Sequence, residues 1–276
     1  MSRIESIPLL PDEDALSQAF LRDGCVVVEA EDGAVLQRIR NAVAALAAQH
    51  LGVEAPDEPQ AFLDQIHNLV DVPALNALRL AVINGINELD WPRQAYFSLV
   101  RHTLEILVGN ELAVQRRLNL SIQLPDDDSS LLHVHADVWD GDSPFEVVVW
   151  LPLVDCAATK GMYLLPPDAN AHHAAKMGNM EGQSAEDLYR MIEDDLVLPD
   201  LPFGKVLVFG QNLMHGNRIN ATPESRWSMN CRFKGLFTPY ADKRLGEFFE
   251  PLNIKAASRM GMEYKLPGGF GSGEGA

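Results

Sequence analysis

The chain has 276 residues, 47% of them hydrophobic and 22% charged, so it can bury a full core and is not disordered. Its formal net charge of −17 argues against nucleic acid and anionic membranes as partners, because phosphate groups are bound by Lys and Arg. Three scattered cysteines without zinc-ligand spacing predict a reducing compartment. Since no apolar run has the length of a signal core or a membrane span, we expect one cytoplasmic domain over residues 1–276.

Residues 1–110 are predicted to be mainly helical. Acidic residues after Pro11 begin a short amphipathic helix that Gly24 ends, and a short strand follows over 25–28. Apolar residues at helical spacing predict a helix over 33–51. The further predicted helices cover 61–70, 73–89 and 92–108.

The pattern changes after Gly109. Short apolar strands separated by Gly, Pro, Asp and Asn predict a mainly β fold, a double-stranded β-helix (jelly roll) over 111–240 with the helices packed outside. An insertion is expected over about 168–202, with a helix at 185–194, and 241–276 form an extension with a glycine-rich tail. The predicted strands cover 117–123, 131–138, 145–154, 162–165, 205–209 and 226–237.

A His-x-Asp triplet and a distant histidine are the candidate metal ligands. His135 and Asp137 are two residues apart, so their side chains would leave the same face of the predicted strand. His215 follows another predicted strand and could complete the set. Two imidazoles and one carboxylate on one face of a metal form the facial triad of non-heme Fe(II) oxygenases, which leaves open coordination positions.

Other histidines offer weaker alternatives. His133 lies on the same side of the predicted strand as His135, so these two could be a different ligand pair, although a role in lining the site is the plainer interpretation. His172 and His173 follow two prolines and fit a solvated or helix-starting segment better than a metal site.

Polar residues alternate with apolar residues along 117–123 and 226–233. A half-buried strand that turns its polar face to water has the same pattern, and this interpretation suffices for either strand alone. Arg226, however, lies eleven residues after His215, and Ser228 follows it. An arginine fork at this point could bind the distal carboxylate of an organic acid through two hydrogen bonds, so we expect the polar face of the second strand to line a cavity.

The order and spacing of these residues resemble the phytanoyl-CoA dioxygenase-like group of Fe(II)/2-oxoglutarate oxygenases. The His-x-Asp pair, the distal histidine, the arginine eleven residues later and the segment 20–28 all match that group. Segments 137–155, 211–217 and 226–234 are similar to a bacterial branch found with carbohydrate-biosynthesis genes. The similarity covers nearly the whole chain.

The resemblance implies that His135, Asp137 and His215 ligate Fe(II), and that Arg226 and Ser228 bind 2-oxoglutarate. Halogenating relatives carry a small residue where this chain has Asp137, so hydroxylation or a related oxidation is favoured. No motif fixes the roles of the remaining candidates, which are Asn119 for the co-substrate and Trp139, Asn217 and Arg232 for the substrate.

These observations predict an Fe(II)- and 2-oxoglutarate-dependent dioxygenase that uses O2 to oxidise a small polar metabolite, such as a sugar, a cyclitol or a nucleotide-linked sugar. A cupin-like metal-dependent isomerase stays open, although it leaves Arg226 and Ser228 without a role. A non-catalytic, metal-free sugar-binding jelly roll also stays open. The motifs leave open the carbon oxidised, the choice among hydroxylation, desaturation, epimerisation and cyclisation, and the oligomeric state.

Overall fold

The computed structural model of the chain describes residues 11–179 and 182–265. The predicted glycine-rich tail lies outside the described residues. Across 11–179 and 182–265, no helix is both long enough and apolar enough to cross a membrane.

The amino-terminal part is helical, as predicted. Helix α2 begins after Asp32, whose carboxylate accepts the backbone N–H groups of Ala34 and Val35, and it ends at Gly52 in the left-handed conformation. The helices of this part are α1 (Pro11–Asp23), α2 (Gly33–Leu51), α3 (Pro59–Asp64), α4 (Val72–Glu88), α5 (Pro92–Ser98) and α6 (Arg101–Leu107).

The prediction of one continuous helix over 92–108 is wrong, because the chain forms two helices, α5 and α6, with a break between them. The carbonyl of Leu99 accepts the backbone N–H of Glu31 (2.9 Å). The Glu31 carboxylate in turn accepts the N–H of His102 (2.8 Å) in the first turn of α6. A contact that is distant in sequence therefore replaces the helical hydrogen bonds at this point.

The strands form one seven-stranded antiparallel sheet and one two-stranded sheet within the described residues. The larger sheet has the order β1-β6-β4-β8-β2-β9, and β3 also pairs with β8; β5 pairs with β7. Strands β1 and β9 join the larger sheet from outside 111–240. The strands are β1 (Cys25–Glu29), β2 (Leu112–Gln115), β3 (Asn119–Gln123), β4 (Glu146–Pro152), β5 (Tyr163–Leu164), β6 (Lys205–Gly210), β7 (His215–Gly216), β8 (Arg226–Gly235) and β9 (Phe249–Asn253).

Strand β8 is central, because it pairs with β4 along one edge and with β3 and then β2 along the other. Its apolar face packs against the helices: Trp227 donates its indole N–H to the carbonyl of Leu63 at the end of α3 (2.9 Å). Phe233 lies against Phe97 of α5, with ring centroids 6.4 Å apart. The polar face therefore points to the opposite side of the sheet, as the alternation predicted.

The strand predicted over 131–138 is wrong. Within this segment only His135 forms a β-bridge, to His215, and Asp137–Asp140 form a 3-10 helix. Leu132 is bound by Asn217 in two ways, because its carbonyl accepts the backbone N–H of Asn217 (3.0 Å) and its own N–H donates to the amide oxygen of Asn217. The 3-10 helix ends at Gly141, whose φ of 85° is in the left-handed region that favours glycine.

The insertion lies beside the two-stranded sheet. It contains two helices, first α7 (Pro167–Ala174) and then α8 (Ala185–Ile192). Leu188 and Ile192 of α8 belong to a small apolar cluster that also contains Tyr163 of β5 and Met214 next to β7. The insertion is thus packed near the candidate metal ligand His215. A last helix, α9, covers Ala256–Glu263.

Glu146 at the start of β4 is a buried carboxyl group. It accepts hydrogen bonds from the backbone N–H of Ser143 (3.0 Å) and the side-chain amide of Gln211 (2.8 Å), and Lys234 lies 3.9 Å away. Burial, the largest cause, raises the pKa of Glu146 from 4.5 to about 7. The carboxyl group of Glu146 therefore binds a proton more tightly in the folded protein than in the unfolded chain.

We predict that the free energy of unfolding falls by on the order of 2 kcal/mol as pH rises from about 5 to about 8. A carboxyl whose pKa is raised by folding contributes its full stabilisation of the folded state at pH values below its unfolded pKa. This contribution is lost as the pH rises through the folded pKa. Glu146→Gln should flatten the dependence, and the exposed control Glu247→Gln should not. Urea unfolding at several pH values checks this, and equal slopes for the wild type and Glu146→Gln would contradict it.

Candidate metal centre

His135, Asp137 and His215 form a compact group of side chains with metal-ligating atoms. One ligand atom from each lies within 4.8 Å of the other two. The Nε2 atoms of His135 and His215 are 3.7 Å and 4.0 Å from the same oxygen, Oδ1 of Asp137. The three predicted ligands are thus brought together, although ligation itself stays a prediction.

Backbone pairing sets the distance between the two histidines. The N–H of His135 donates to the carbonyl of His215 (3.0 Å), and the N–H of His215 donates to the carbonyl of His135 (2.8 Å). The ring centroids are consequently 4.3 Å apart. Asp137 is placed by its 3-10 turn and not by strand alternation, because the next backbone N–H, that of Val138, bonds to the carbonyl of Gln211.

Both imidazole rings are oriented with Nε2 toward Asp137. Nδ1 of His135 donates to the carbonyl of His133 (2.7 Å), and Nδ1 of His215 donates to the carbonyl of Leu213 (2.9 Å). In the neutral form of each ring, Nε2 therefore carries the lone pair, which is the tautomer that a metal requires. Burial, and then the neighbouring His135, lower the pKa of His215 to about 4, so this ring is neutral at neutral pH.

Arg232 links the candidate carboxylate ligand to a second, buried carboxylate. Its Nη2 lies 3.0 Å from Oδ1 of Asp137, and its Nε lies 3.3 Å from Oδ1 of Asp142. Its third nitrogen donates to the side-chain oxygen of Gln115 (3.3 Å). Asp142 also pairs with Lys243. Nη1 and Nη2 thus have protein partners, whereas Nε lies beside Asp142 without a hydrogen bond. The residue is placed to orient Asp137, and the substrate contact that the sequence predicted for it stays a prediction.

Arg226 is fully buried, and no carboxylate lies within ion-pair distance of it among the described residues. Nη1 donates to the carbonyl of Gly161 (3.2 Å), Nη2 donates to the hydroxyl of Ser121 (3.0 Å), and Nε has no partner. Burial lowers the pKa of Arg226 to about 10. A buried cation without a counter-ion is costly, so an anionic ligand would be strongly favoured here.

Two adjoining cavities connect these groups. The larger, about 390 Å³, is lined by His135, Asp137 and Arg232, and the smaller, about 50 Å³, is lined by His215, Arg226 and Ser228. Both are lined by Ser121, Leu132, Trp150 and Asn230, so they share a wall. The candidate metal ligands and the buried arginine therefore border adjoining cavities.

The remaining predicted site residues have different surroundings. Asn119 lines the larger cavity and donates to the amide oxygen of Asn230 (2.9 Å) across the β3–β8 pair. Asn217 borders the smaller cavity, but its amide is engaged by Leu132 and Gln123. Trp139 is 46% exposed and faces a separate surface cavity beside α8, so it borders neither of the two adjoining cavities.

The alternative histidines lie outside the group. His133 is exposed and contributes only its backbone carbonyl, to His135. His172 contacts Lys176, and His173 contacts Asp195. Sequence reasoning missed Gln115 and Lys243, which complete the network around Arg232 and Asp142; no local motif marks them, because they come from distant parts of the chain.

Solved structures of non-heme enzymes resemble this chain over most of its length. The nickel complex of the non-heme monooxygenase ThoJ has a TM-score of 0.56 and 18% identity, covering 88% of this chain and 85% of that one. The chain shares its fold with these enzymes. HygX from Streptomyces hygroscopicus with nickel and 2-oxoglutarate bound has a TM-score of 0.51 and 14% identity, covering 86% and 91%.

A third structure has the same fold. The epimerase SnoN in complex with Fe3+, alpha ketoglutarate and nogalamycin RO has a TM-score of 0.50 and 17% identity, covering 83% of this chain and 86% of that one. No protein-family model matches the sequence, and no curated protein matches it. The likeness is thus one of fold.

We predict that His135→Ala and His215→Ala each weaken Ni(II) binding by at least ~100-fold, since even the hydrogen-bond partners of metal ligands cost up to about that factor. The matched control His133→Ala should change the dissociation constant by less than about threefold, because its side chain is exposed and does not belong to the group. Isothermal titration calorimetry checks this. Loss of binding in His133→Ala with retention in His215→Ala would favour the alternative ligand pair.

Proposed function

We propose that this protein is an Fe(II)- and 2-oxoglutarate-dependent dioxygenase that oxidises, and in the simplest case hydroxylates, a small polar metabolite. The observation that carries the proposal is the arrangement of His135, Asp137 and His215 with the buried Arg226, which has no acidic partner among the described residues, on two adjoining cavities. When bound, Fe(II), 2-oxoglutarate and O2 supply the oxidant for a C–H bond, and 2-oxoglutarate is converted to succinate and CO2.

The donor set fits iron. His135 and His215 direct Nε2 toward the same carboxylate oxygen of Asp137. Two imidazoles and one carboxylate satisfy a divalent iron on one face and leave the other face open. The role of these residues is to hold the metal, and the role of Arg232 is to hold Asp137 in position.

The surroundings of Arg226 fit the distal carboxylate of 2-oxoglutarate. Its guanidinium has an unsatisfied Nε and no acidic partner among the described residues, and Ser228 borders the same small cavity. A carboxylate there would form charge-assisted hydrogen bonds and remove the cost of the buried charge. Asn119 lines the larger cavity and bonds to Asn230, which lines both cavities. Asn119 is therefore a further candidate for contact with the co-substrate.

The larger cavity supports a small polar substrate. Its volume of about 390 Å³ suits a metabolite and not a polymer, and its wall carries amide, hydroxyl and guanidinium groups. A sugar, a cyclitol or a nucleotide-linked sugar would match these groups. The hydrogen-bonding residues of this wall are Arg79, Asn119, Ser129, Ser130, Asn230 and Arg232.

The proposal includes a fold type, a family branch and a cellular location. The seven-stranded antiparallel sheet and the separate β5–β7 pair support a double-stranded β-helix core in a single oxygenase domain. The motif spacing supports the phytanoyl-CoA dioxygenase-like branch associated with carbohydrate biosynthesis. The charge of −17 argues against nucleic acid and anionic membranes as partners, and the scattered cysteines support a cytoplasmic location.

We predict that 2-oxoglutarate added anaerobically to the Fe(II) protein produces the weak visible charge-transfer band of a chelated 2-oxo acid, and that His215→Ala abolishes it. Absorption spectroscopy is the measurement, with succinate, which lacks the 2-oxo group, as the control ligand. Metal binding without a band would contradict the oxygenase proposal and favour a cupin-like isomerase. A protein that binds no metal would favour a metal-free sugar-binding role.

We predict that Arg226→Gln raises the 2-oxoglutarate concentration needed for half of the band by at least ~30-fold, because a charge-assisted, bidentate contact is lost. Fe(II) affinity should stay within about threefold, since Arg226 does not belong to the ligand group. Asp137→Ala should instead abolish both metal binding and turnover. An unchanged 2-oxoglutarate requirement in Arg226→Gln would mean that another basic residue binds the co-substrate.

A further inference from the structure

A buried ion pair lies next to the backbone segments that contact Arg226. Nζ of Lys160 is 2.6 Å from Oδ1 of Asp64, and the two residues are 3% and 7% exposed. Lys160 also contacts Glu224 (2.7 Å), which is half-exposed. None of these three residues lines either of the two adjoining cavities.

Both partners of this ion pair are connected to Arg226 through the backbone. Lys160 is followed directly by Gly161, whose carbonyl accepts Nη1 of Arg226 (3.2 Å). The backbone carbonyl of Asp64 accepts the N–H of Ser225 (2.7 Å), the residue before Arg226. The ion pair thus closes a ring that runs from Asp64 through Lys160 and Gly161 to Arg226 and back through Ser225.

The residue on the other side of Arg226 is attached to the same helix end. Trp227 is fully buried and donates its indole N–H to the carbonyl of Leu63, the neighbour of Asp64. The end of α3 therefore binds the chain on both sides of Arg226. Lys160 anchors the adjacent Gly161, whose carbonyl accepts a hydrogen bond from the guanidinium of Arg226. The four hydrogen bonds leave the arginine little freedom to move relative to β8.

A buried ion pair is weak evidence for a role in stability, because desolvation of the two charges offsets much of their attraction. A role in geometry is different, since a pair with defined donor and acceptor positions fixes the backbone segments that carry it. Here those segments are the ones that place the guanidinium of Arg226.

We propose that the Asp64–Lys160 ion pair is a positioning element for Arg226, which sets the affinity and selectivity for an acid with a distal carboxylate without touching that acid. The inference rests on the proposed function, because it assigns 2-oxoglutarate to Arg226. If the pair is lost, Gly161 and Ser225 shift, and the guanidinium is displaced from the distal carboxylate while the metal ligands keep their places.

The test is the double variant Asp64→Asn/Lys160→Met, which removes both charges and leaves no unpaired buried ion. Two probes are titrated anaerobically into the Fe(II) protein: 2-oxoglutarate, and pyruvate, which has the same 2-oxo acid group but no distal carboxylate. We expect 2-oxoglutarate affinity to fall about tenfold, the range found when partners of functional residues are removed. Pyruvate affinity and Fe(II) affinity should stay within about twofold.

The matched control is Arg93→Met/Glu250→Gln, which removes an ion pair (2.7 Å) between α5 and the edge strand β9. It should leave the affinities for both acids unchanged. If the double variant does not fold, judged by thermal unfolding, Asp64→Asn alone keeps an oxygen for Lys160. It should lower 2-oxoglutarate affinity about threefold without affecting pyruvate.

The outcomes separate this inference from the function on which it rests. A wild-type protein that binds neither acid would refute the proposed function itself. A wild type that binds 2-oxoglutarate, with an unchanged ratio of 2-oxoglutarate to pyruvate affinity in the double variant, would overturn the positioning role alone. An equal loss for both acids, or a loss of Fe(II) binding, would mean that the pair supports the site generally, and would also overturn it.

Discussion

The two opposite faces of strand β8 are the constraint on which the rest of the structure depends. Trp227 and Phe233 are fully buried against α3 and α5, while Arg226 and Arg232, on the other face, border the cavities. Antiparallel pairing on both edges fixes this register. A slip of one residue would bury an arginine among the helices and turn a tryptophan toward the cavity, so the core and the candidate site stabilise the same alignment.

Buried charge gives the candidate site its chemical character in a protein of net charge −17. Arg232 is shared between Asp137 and Asp142, so its charge is already compensated by the protein. Arg226 has no such partner, and its charge is available to a ligand. Local geometry therefore overrides net charge, because screening and distance leave the remote acidic surface with little influence inside a buried cavity.

Local patterns predicted many elements well, and tertiary contacts explain the errors. Helix α2 has the predicted ends because its caps, Asp32 and Gly52, are local. The helix predicted over 92–108 is interrupted because Glu31, far away in sequence, bonds to its middle. The predicted strand at 131–138 was replaced by a bridge and a 3-10 turn, since its backbone pairs with residues 215–217 only at Leu132 and His135 and the chain then turns at Asp137.

The sequence by itself determined the residue types of the candidate site and the alternation that turns Arg226 and Arg232 to one side of β8. It could do so because strand periodicity and the spacing of a motif are local properties. Only the tertiary structure decided that His135 and His215 form a backbone bridge, that Arg232 pairs with Asp137, and that Lys160 pairs with Asp64. Those contacts join residues that are distant along the chain, and only packing of the whole sheet and its helices brings them together.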